Sequence, residues 1–131
     1  MAWEKLEKQS ARRATYGLEW YKVPGVSINS MGMTFNKPFL AAFGVAAGSP
    51  IRLLIDRERR QIGVVIVRDA EESRGAHKIT VASTRPSGTH YVPVKAIPKA
   101  FPDCIRRAFR ARLNSDEGII EISLDVKNEL K

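Results

Sequence analysis

The chain has little cysteine, little histidine and no long apolar run. Its single cysteine, Cys104, among 131 residues excludes an intramolecular disulfide framework and leaves no set of thiolates for a structural zinc site. A reducing compartment is the natural setting. The two histidines, His77 and His90, have no cysteine or carboxylate at metal-ligand spacing, so neither a metal centre nor a Ser-His-Asp arrangement is expected. Gly-x-Gly never occurs, and neither Gly44 nor Gly48 leads into the Gly-Lys-Ser/Thr ending of a phosphate-cradling loop. Asp116 and Glu117 share a turn with no second carboxylate pair to converge on them. No apolar run approaches the roughly 18 residues of a membrane span, and the stretch from Met1 to Arg13 alternates charges where a signal peptide carries an apolar core. These absences predict a cytosolic protein that is not an enzyme, holds no metal or cofactor and has no membrane partner.

What the chain does have is positive charge. Lys and Arg number 22 against 14 Asp and Glu, a formal net charge of +8, and 44% of the residues are hydrophobic. A domain of this length buries enough surface for a core without covalent staples, so residues 1–131 read as one domain. The excess is spread as +2 over residues 1–25, +3 over 26–69 and +3 over 70–131. A basic chain concentrates near polyanions, which makes nucleic acid the first partner class to weigh.

Along the chain, residues 1–25 form a mixed-charge N-terminal arm with aromatics at Trp3, Tyr16, Trp20 and Tyr21, closed by Pro24-Gly25. Val26 to Asn29 and Met33 to Phe35 read as short strands about a Ser30-Met31-Gly32 turn. Asn36 is a good N-cap for a short helix beginning Lys37-Pro38, and Gly44 suits its left-handed stop. Ile51 to Ile55 and Ile62 to Val67 read as strands joined by the charged turn Asp56 to Arg60, with Val64 to Val67 apolar enough to be buried on both faces. A loop over 69–76 precedes a further strand from Lys78 to Ser83.

Sliding the chain against itself by 58 residues pairs 32–67 with 90–125 without a gap. Five of the 36 positions are identical: Lys37 with Lys95, Ala42 with Ala100, Phe43 with Phe101, Arg52 with Arg110 and Ile62 with Ile120. Apolar positions coincide as well, including Phe39 with Ile97, Ile51 with Phe109, Ile55 with Leu113 and Val64 with Ile122. Taken alone, Pro102 to Leu113 resembles a basic amphipathic helix. The repeat instead predicts a short helix from Lys95 to Phe101 and a strand from Arg107 to Leu113, with Phe109, Ala111 and Leu113 on one face and Arg110 and Arg112 on the other. Pro98 inside that helix limits it to about one turn. Two units of strand, strand, short helix, strand and strand, at 26–69 and 84–126, cannot bury their apolar faces singly. The expected fold is mostly β with short α elements, a small pseudo-two-fold barrel or sandwich.

From Val26 to Val67 the first unit resembles the AbrB/SpoVT family of swapped-hairpin transcription factors and antitoxins, through Gly32-x-Thr34-Phe35, the short helix ending Phe43-Gly44-Val45, the Gly48 turn and two strands about a charged turn. Two tandem copies are similar to a fused dimer of that kind, and the resemblance implies DNA binding. Three departures bear on this. Where the family has an arginine before its second strand, this chain has Gly32 or Met33 and His90. Asn36 and Val94 replace its proline, and its basic helix pair falls on Leu40-Ala41 and Pro98-Lys99, leaving only Lys99.

The candidate phosphate contacts are therefore other cations. Arg106, Arg107, Arg110 and Arg112 form the densest basic cluster, a stripe able to track a nucleic-acid backbone. Arg52 is the repeat equivalent of Arg110, and Lys37 that of Lys95, so each pair could meet a two-fold duplex or simply face solvent. Arg12 and Arg13 on the arm could reach a groove. The leading expectation is a DNA-binding regulator or accessory protein, monomeric or homodimeric. The alternative is a protein-interaction module, a small inhibitor or adaptor whose basic face meets an acidic partner protein through exposed aromatics such as Trp3, Tyr16, Trp20 and Tyr91.

Overall fold

A computed structural model describes residues 17–69, 72–82 and 88–131. Most of the predicted N-terminal arm, with Trp3, Arg12, Arg13 and Tyr16, lies outside the described residues. Among the described residues nine strands and two short α-helices run in the order β1 (Gly25–Asn29), β2 (Gly32–Phe35), α1 (Lys37–Phe43), β3 (Pro50–Asp56), β4 (Gln61–Ile66), β5 (His77–Lys78), β6 (Thr80–Val81), β7 (His90–Pro93), α2 (Ala96–Ala100), β8 (Ala108–Asn114) and β9 (Ile119–Ser123). Single 3₁₀ turns occupy Leu18–Tyr21, Pro102–Cys104 and Val126–Asn128. Among the described residues no helix is long and apolar enough to cross a membrane.

Local chemistry explains the first unit. Asn29 closes the β1–β2 turn, its Oδ1 accepting from the Met31 and Gly32 N–H groups at 2.9 Å each. Gly32 is required there because β2 runs close against β7: a Cβ would lie 2.1 Å from the Val92 carbonyl oxygen. Asn36 caps α1 by accepting from the Phe39 N–H at 2.9 Å, and Gly44 ends it in the left-handed conformation (φ 63°, ψ 38°). Asn36 does more than cap. Its Oδ1 also accepts from the Gly25 N–H at 3.0 Å, and its Nδ2 donates to the carbonyls of Trp20 (2.9 Å) and Val23 (2.7 Å). One buried amide thus uses all four of its hydrogen-bonding sites to join the 3₁₀ turn, β1 and α1.

The sheet runs β5-β3-β4-β9-β8-β1-β2-β7-β6, and β5 and β6 are separated only by Ile79, so the sheet nearly closes on itself as a small barrel. The two halves share this barrel with a common register. β3 pairs β4 with Ile51 opposite Ile66, and β8 pairs β9 with Ala111 opposite Ile122. Adding 58 to Leu53 and Val64 of the first ladder gives Ala111 and Ile122 of the second. Between the halves, β2 pairs β7 and β4 pairs β9, each ladder mapping onto itself when its strands are exchanged: Gly32 opposite Pro93 becomes His90 opposite Phe35. The fold is mostly β with pseudo-two-fold symmetry.

The counterpart of β1 is set by hydrogen bonds. Ile28 donates its N–H to Arg107 O (3.0 Å) and accepts from Arg106 N–H (2.7 Å); Ile79 does the same with Ser49 O (3.0 Å) and Gly48 N–H (2.7 Å). Ile79 therefore occupies the place of Ile28, ahead of the position a uniform 58-residue slide gives. The difference lies in the following connection, two residues in the first unit and eight, residues 82–89, in the second.

Both helices and the inner strand faces enclose one core. Ile51 and Phe109, Ile62 and Ile120, Val64 and Ile122, and Phe39 and Ile97 are symmetry-related pairs, all buried. Two expectations change here. Leu113 faces the side of Phe109 and Ala111 but is 55% exposed, because β8 runs past the core toward its hairpin turn. Val64 and Val67 are buried, whereas Val65 and Ile66 are only half-buried. The helix with Pro98 is confined to five residues.

Replacing Asn36 with Ala should cost about 2–4 kcal/mol in chemical denaturation, since a cap is lost and three further backbone groups lose their partner. Asn36→Asp should not rescue it, because the carboxylate keeps the acceptors but sets a charge against two carbonyls. Gly118→Ala, at φ 68° with open space around its Cβ, should cost only the backbone term of about 1 kcal/mol.

Candidate nucleic-acid interface

The β8 strand presents Arg110 and Arg112 on its outer face, with Phe109 and Ala111 turned to the core. A groove of about 340 Å³ lies over that face, lined by Arg110, Arg112, Glu121, Ser123, Lys127 and Asn128 among others. The four arginines of the predicted cluster, however, divide into two kinds. Arg107 binds Glu129 through both carboxylate oxygens, at 3.0 and 3.1 Å, and its guanidinium lies 5.2 Å from the Phe109 ring centroid. The hydrogen bond to Glu129 holds the Arg107 pKa above its ordinary value. Arg110 binds Glu19 at 3.0 Å, and the other oxygen of Glu19 accepts from the Lys131 N–H at 2.6 Å. Arg107 and Arg110 thus brace the two terminal segments against β8, and their charge is largely spent on these carboxylates. Arg112, exposed, stands opposite Glu121 in the β8–β9 ladder.

Arg106 behaves differently. It is exposed, carries no ion pair among the described residues, and has φ 69°, a left-handed conformation that an arginine adopts only at a cost. Its counterpart in the first unit is Gly48, with φ 90°. The backbone places Arg106 beside the β1–β2 hairpin, its N–H bonded to Ile28 O, and the same hairpin receives the Val94 N–H at Met31 O, 2.9 Å. Lys95 follows directly as the N-cap residue of α2, and Lys99 lies one turn on, its N–H bonded to Lys95 O at 3.1 Å. Lys95, Lys99 and Arg106, all exposed, therefore gather around one end of the barrel beside the exposed Met31.

The remaining candidates are scattered. Lys37 is exposed at the start of α1, on the opposite unit from Lys95. Arg52 is exposed but turned to the chain itself, donating to the carbonyls of Glu72 and of Arg74, the latter at 3.4 Å. Arg12 and Arg13 lie outside the described residues. Of the aromatics weighed as partner anchors, Trp20 and Tyr91 are half-buried. Lys99, at the α2 end, and Lys127, in the groove over β8, were not among the predicted contacts. The signal for the first was the register of the repeat, which set Arg106 on a turn glycine and Lys99 on the same end.

Cys104 lies beneath this end, fully buried. Burial pushes its thiol pKa up, with Asp103 adding to the effect against the opposing pull of Arg60 and Arg107. Arg60 donates to Asp103 Oδ2 at 2.6 Å and to Cys104 Sγ at 3.4 Å. No three His, Cys, Asp or Glu side chains among the described residues are grouped to hold a metal ion. No protein-family model, curated protein or solved structure matches this chain.

Two outcomes follow. Cys104 in the folded chain should react with an aromatic disulfide reagent at pH 8 at least about 100-fold more slowly than a free thiol, reaching the free rate only in denaturant. Glu129→Ala should destabilise the fold by about 1–2 kcal/mol, since a bidentate, half-buried pair is broken and Arg107 is left unpaired.

Proposed function

We propose that this chain is a non-enzymatic DNA-binding regulator or accessory protein whose duplicated core resembles the AbrB family, and that it contacts phosphates at the α2 end of the barrel. The observation that carries this reading is Arg106. The position requires a left-handed backbone, its twin is a glycine, and the chain nevertheless keeps a long cation there, exposed and unpaired among the described residues. Lys95 and Lys99 share that end, and Lys99 is also the helix cation retained from the family pattern. The +8 charge of the whole chain adds a sequence-independent attraction to polyanions. Three phosphate contacts would give a log–log salt slope near −3 on duplex DNA.

The alternative, a protein-interaction module for an acidic partner, asks for fewer cations than a duplex backbone does, and one observation fits it: Arg107 and Arg110 are paired with this chain's own Glu129 and Glu19, which breaks the arginine stripe that would track successive phosphates.

Anisotropy of a labelled random duplex, at about 50 and 200 mM salt, separates the two. Arg106→Gly should raise folding stability by about 1 kcal/mol by relieving the backbone, yet weaken DNA binding several-fold and flatten the salt slope by about one unit. Lys95→Ala/Lys99→Ala/Arg106→Gly should abolish binding at the higher salt. Absence of any binding at the lower salt would overturn the DNA reading in favour of the protein partner.

A further inference from the structure

The pseudo-symmetry exposes one pair of equivalent sites that the two halves treat differently. In the second unit Phe101 is buried, 1% exposed, under the guanidinium of Arg60, 5.6 Å from the ring centroid, and Arg60 is tied to Asp103. Arg60 reaches that place from the β3–β4 turn at φ 55°, and the chain after β9 packs alongside, with Leu124 buried and its N–H bonded to Arg60 O at 2.9 Å. In the first unit the equivalents are Phe43 for Phe101, Gly118 for Arg60, Ile66 for Leu124 and Val45 for Asp103. Gly118 holds the same left-handed turn, φ 68°, but has no side chain to lay over the ring. Phe43 and Ile66 are consequently only half-buried, and a groove of about 320 Å³ opens between Ala42, Phe43, Ile66, Leu113 and Ile120, with Arg68 on its rim.

Phe43 is held firmly from below. Its ring stands edge-on to Phe39 at 4.8 Å, and Phe39 packs on Phe35 at 4.9 Å, so the groove wall is the outer end of a phenylalanine row rooted in the core. Leu113, 55% exposed, forms the facing wall.

We infer that this groove is a docking site for a protein partner that presents a large apolar side chain flanked by carboxylates. The twin site is closed by the chain's own arginine, anchored by a carboxylate. The open site lacks that carboxylate, having Val45 in its place, and its one charged lining residue is Arg68, exposed and without an ion pair among the described residues. An incoming cation finds no partner there and is repelled by Arg68, whereas a carboxylate next to the inserted side chain meets Arg68 and the +8 field of the chain. An apolar side chain between Phe43 and Leu113 removes from water the area that Arg60 removes at the twin. The site stands apart from the α2 end and does not rest on the DNA reading.

The test uses the full chain with labelled methyl groups and two probe peptides, acetyl-Glu-Leu-Phe-Glu-amide and acetyl-Lys-Leu-Phe-Lys-amide, titrated by NMR. The acidic peptide is expected to shift the methyl signals of Leu113, Ile66 and Ile120 saturably, and to bind at least about fivefold more tightly than the basic one. Gly118→Arg, which installs the residue the twin already accommodates at the same backbone angle, should weaken binding at least about tenfold. Arg68→Glu, a surface change that leaves the groove walls intact, should reverse the preference between the peptides. Equal binding of both peptides, shifts outside the groove, indifference to Gly118→Arg, or no saturable shift at about 5 mM peptide would overturn the proposal. Concentration-dependent dimerisation lost in Gly118→Arg would overturn it too, assigning the groove to a second copy of the chain.

Discussion

The pairing of β2 with β7 and of β4 with β9 is the constraint on which everything else in the molecule depends. Together with β1–β8 and its counterpart β3–β5 these two ladders join the halves into one sheet, and each of the two maps onto itself under exchange of the halves. Neither unit has a core of its own: Phe39 and Ile97, Ile51 and Phe109, and Val64 and Ile122 fill one interior from both sides. Slipping either ladder by one residue would turn alternate side chains from the core to solvent, so register and core enforce each other. That coupling predicts all-or-none unfolding of the two halves together.

Symmetry of the scaffold makes the departures from symmetry informative. Where both halves need a left-handed residue, one half supplies glycine and the other arginine, and the roles alternate: Gly48 answers Arg106, and Gly118 answers Arg60. The two arginines have separate uses. Arg60 turns inward over Phe101 and Asp103, sealing its half and leaving the twin groove open. Arg106 stays outside with Lys95 and Lys99. Asn36, whose repeat equivalent is Val94, adds a third asymmetry by tying the 3₁₀ turn before β1 to the first half alone. Arg107 and Arg110 form a fourth, tying both ends of the described chain to β8.

The sequence made the strands, both helices and the repeat legible because these follow from short-range rules. Asn36 and Gly44 mark the ends of α1 by capping chemistry, and the 58-residue slide turned Arg107 to Leu113 from an amphipathic helix into a strand, as β8 is. What stayed hidden depends on contacts between distant residues. Glu19 and Arg110 are 91 positions apart, so no local pattern announces that the stripe of arginines is half-neutralised. The first strand of the second unit came early because an eight-residue connection replaced a two-residue turn, and a gapless slide cannot show an insertion. Leu113 followed the strand alternation but not burial, because the alternation fixes a face and not how far the core extends beneath it. The charge inventory was readable, but which cations stay available was decided by the fold.

The proposed function sets duplex phosphates against Lys95, Lys99 and Arg106, which carry no ion pair among the described residues, and not against the braced Arg107 and Arg110. Amide chemical-shift mapping of the labelled chain with a short random duplex tests it most directly. The account predicts shifts concentrated at Met31, Lys95, Lys99 and Arg106, with the Arg107–Glu129 and Arg110–Glu19 pairs intact. Shifts centred on Arg110 and Arg112, with those pairs broken, or no shifts in low salt, would contradict it.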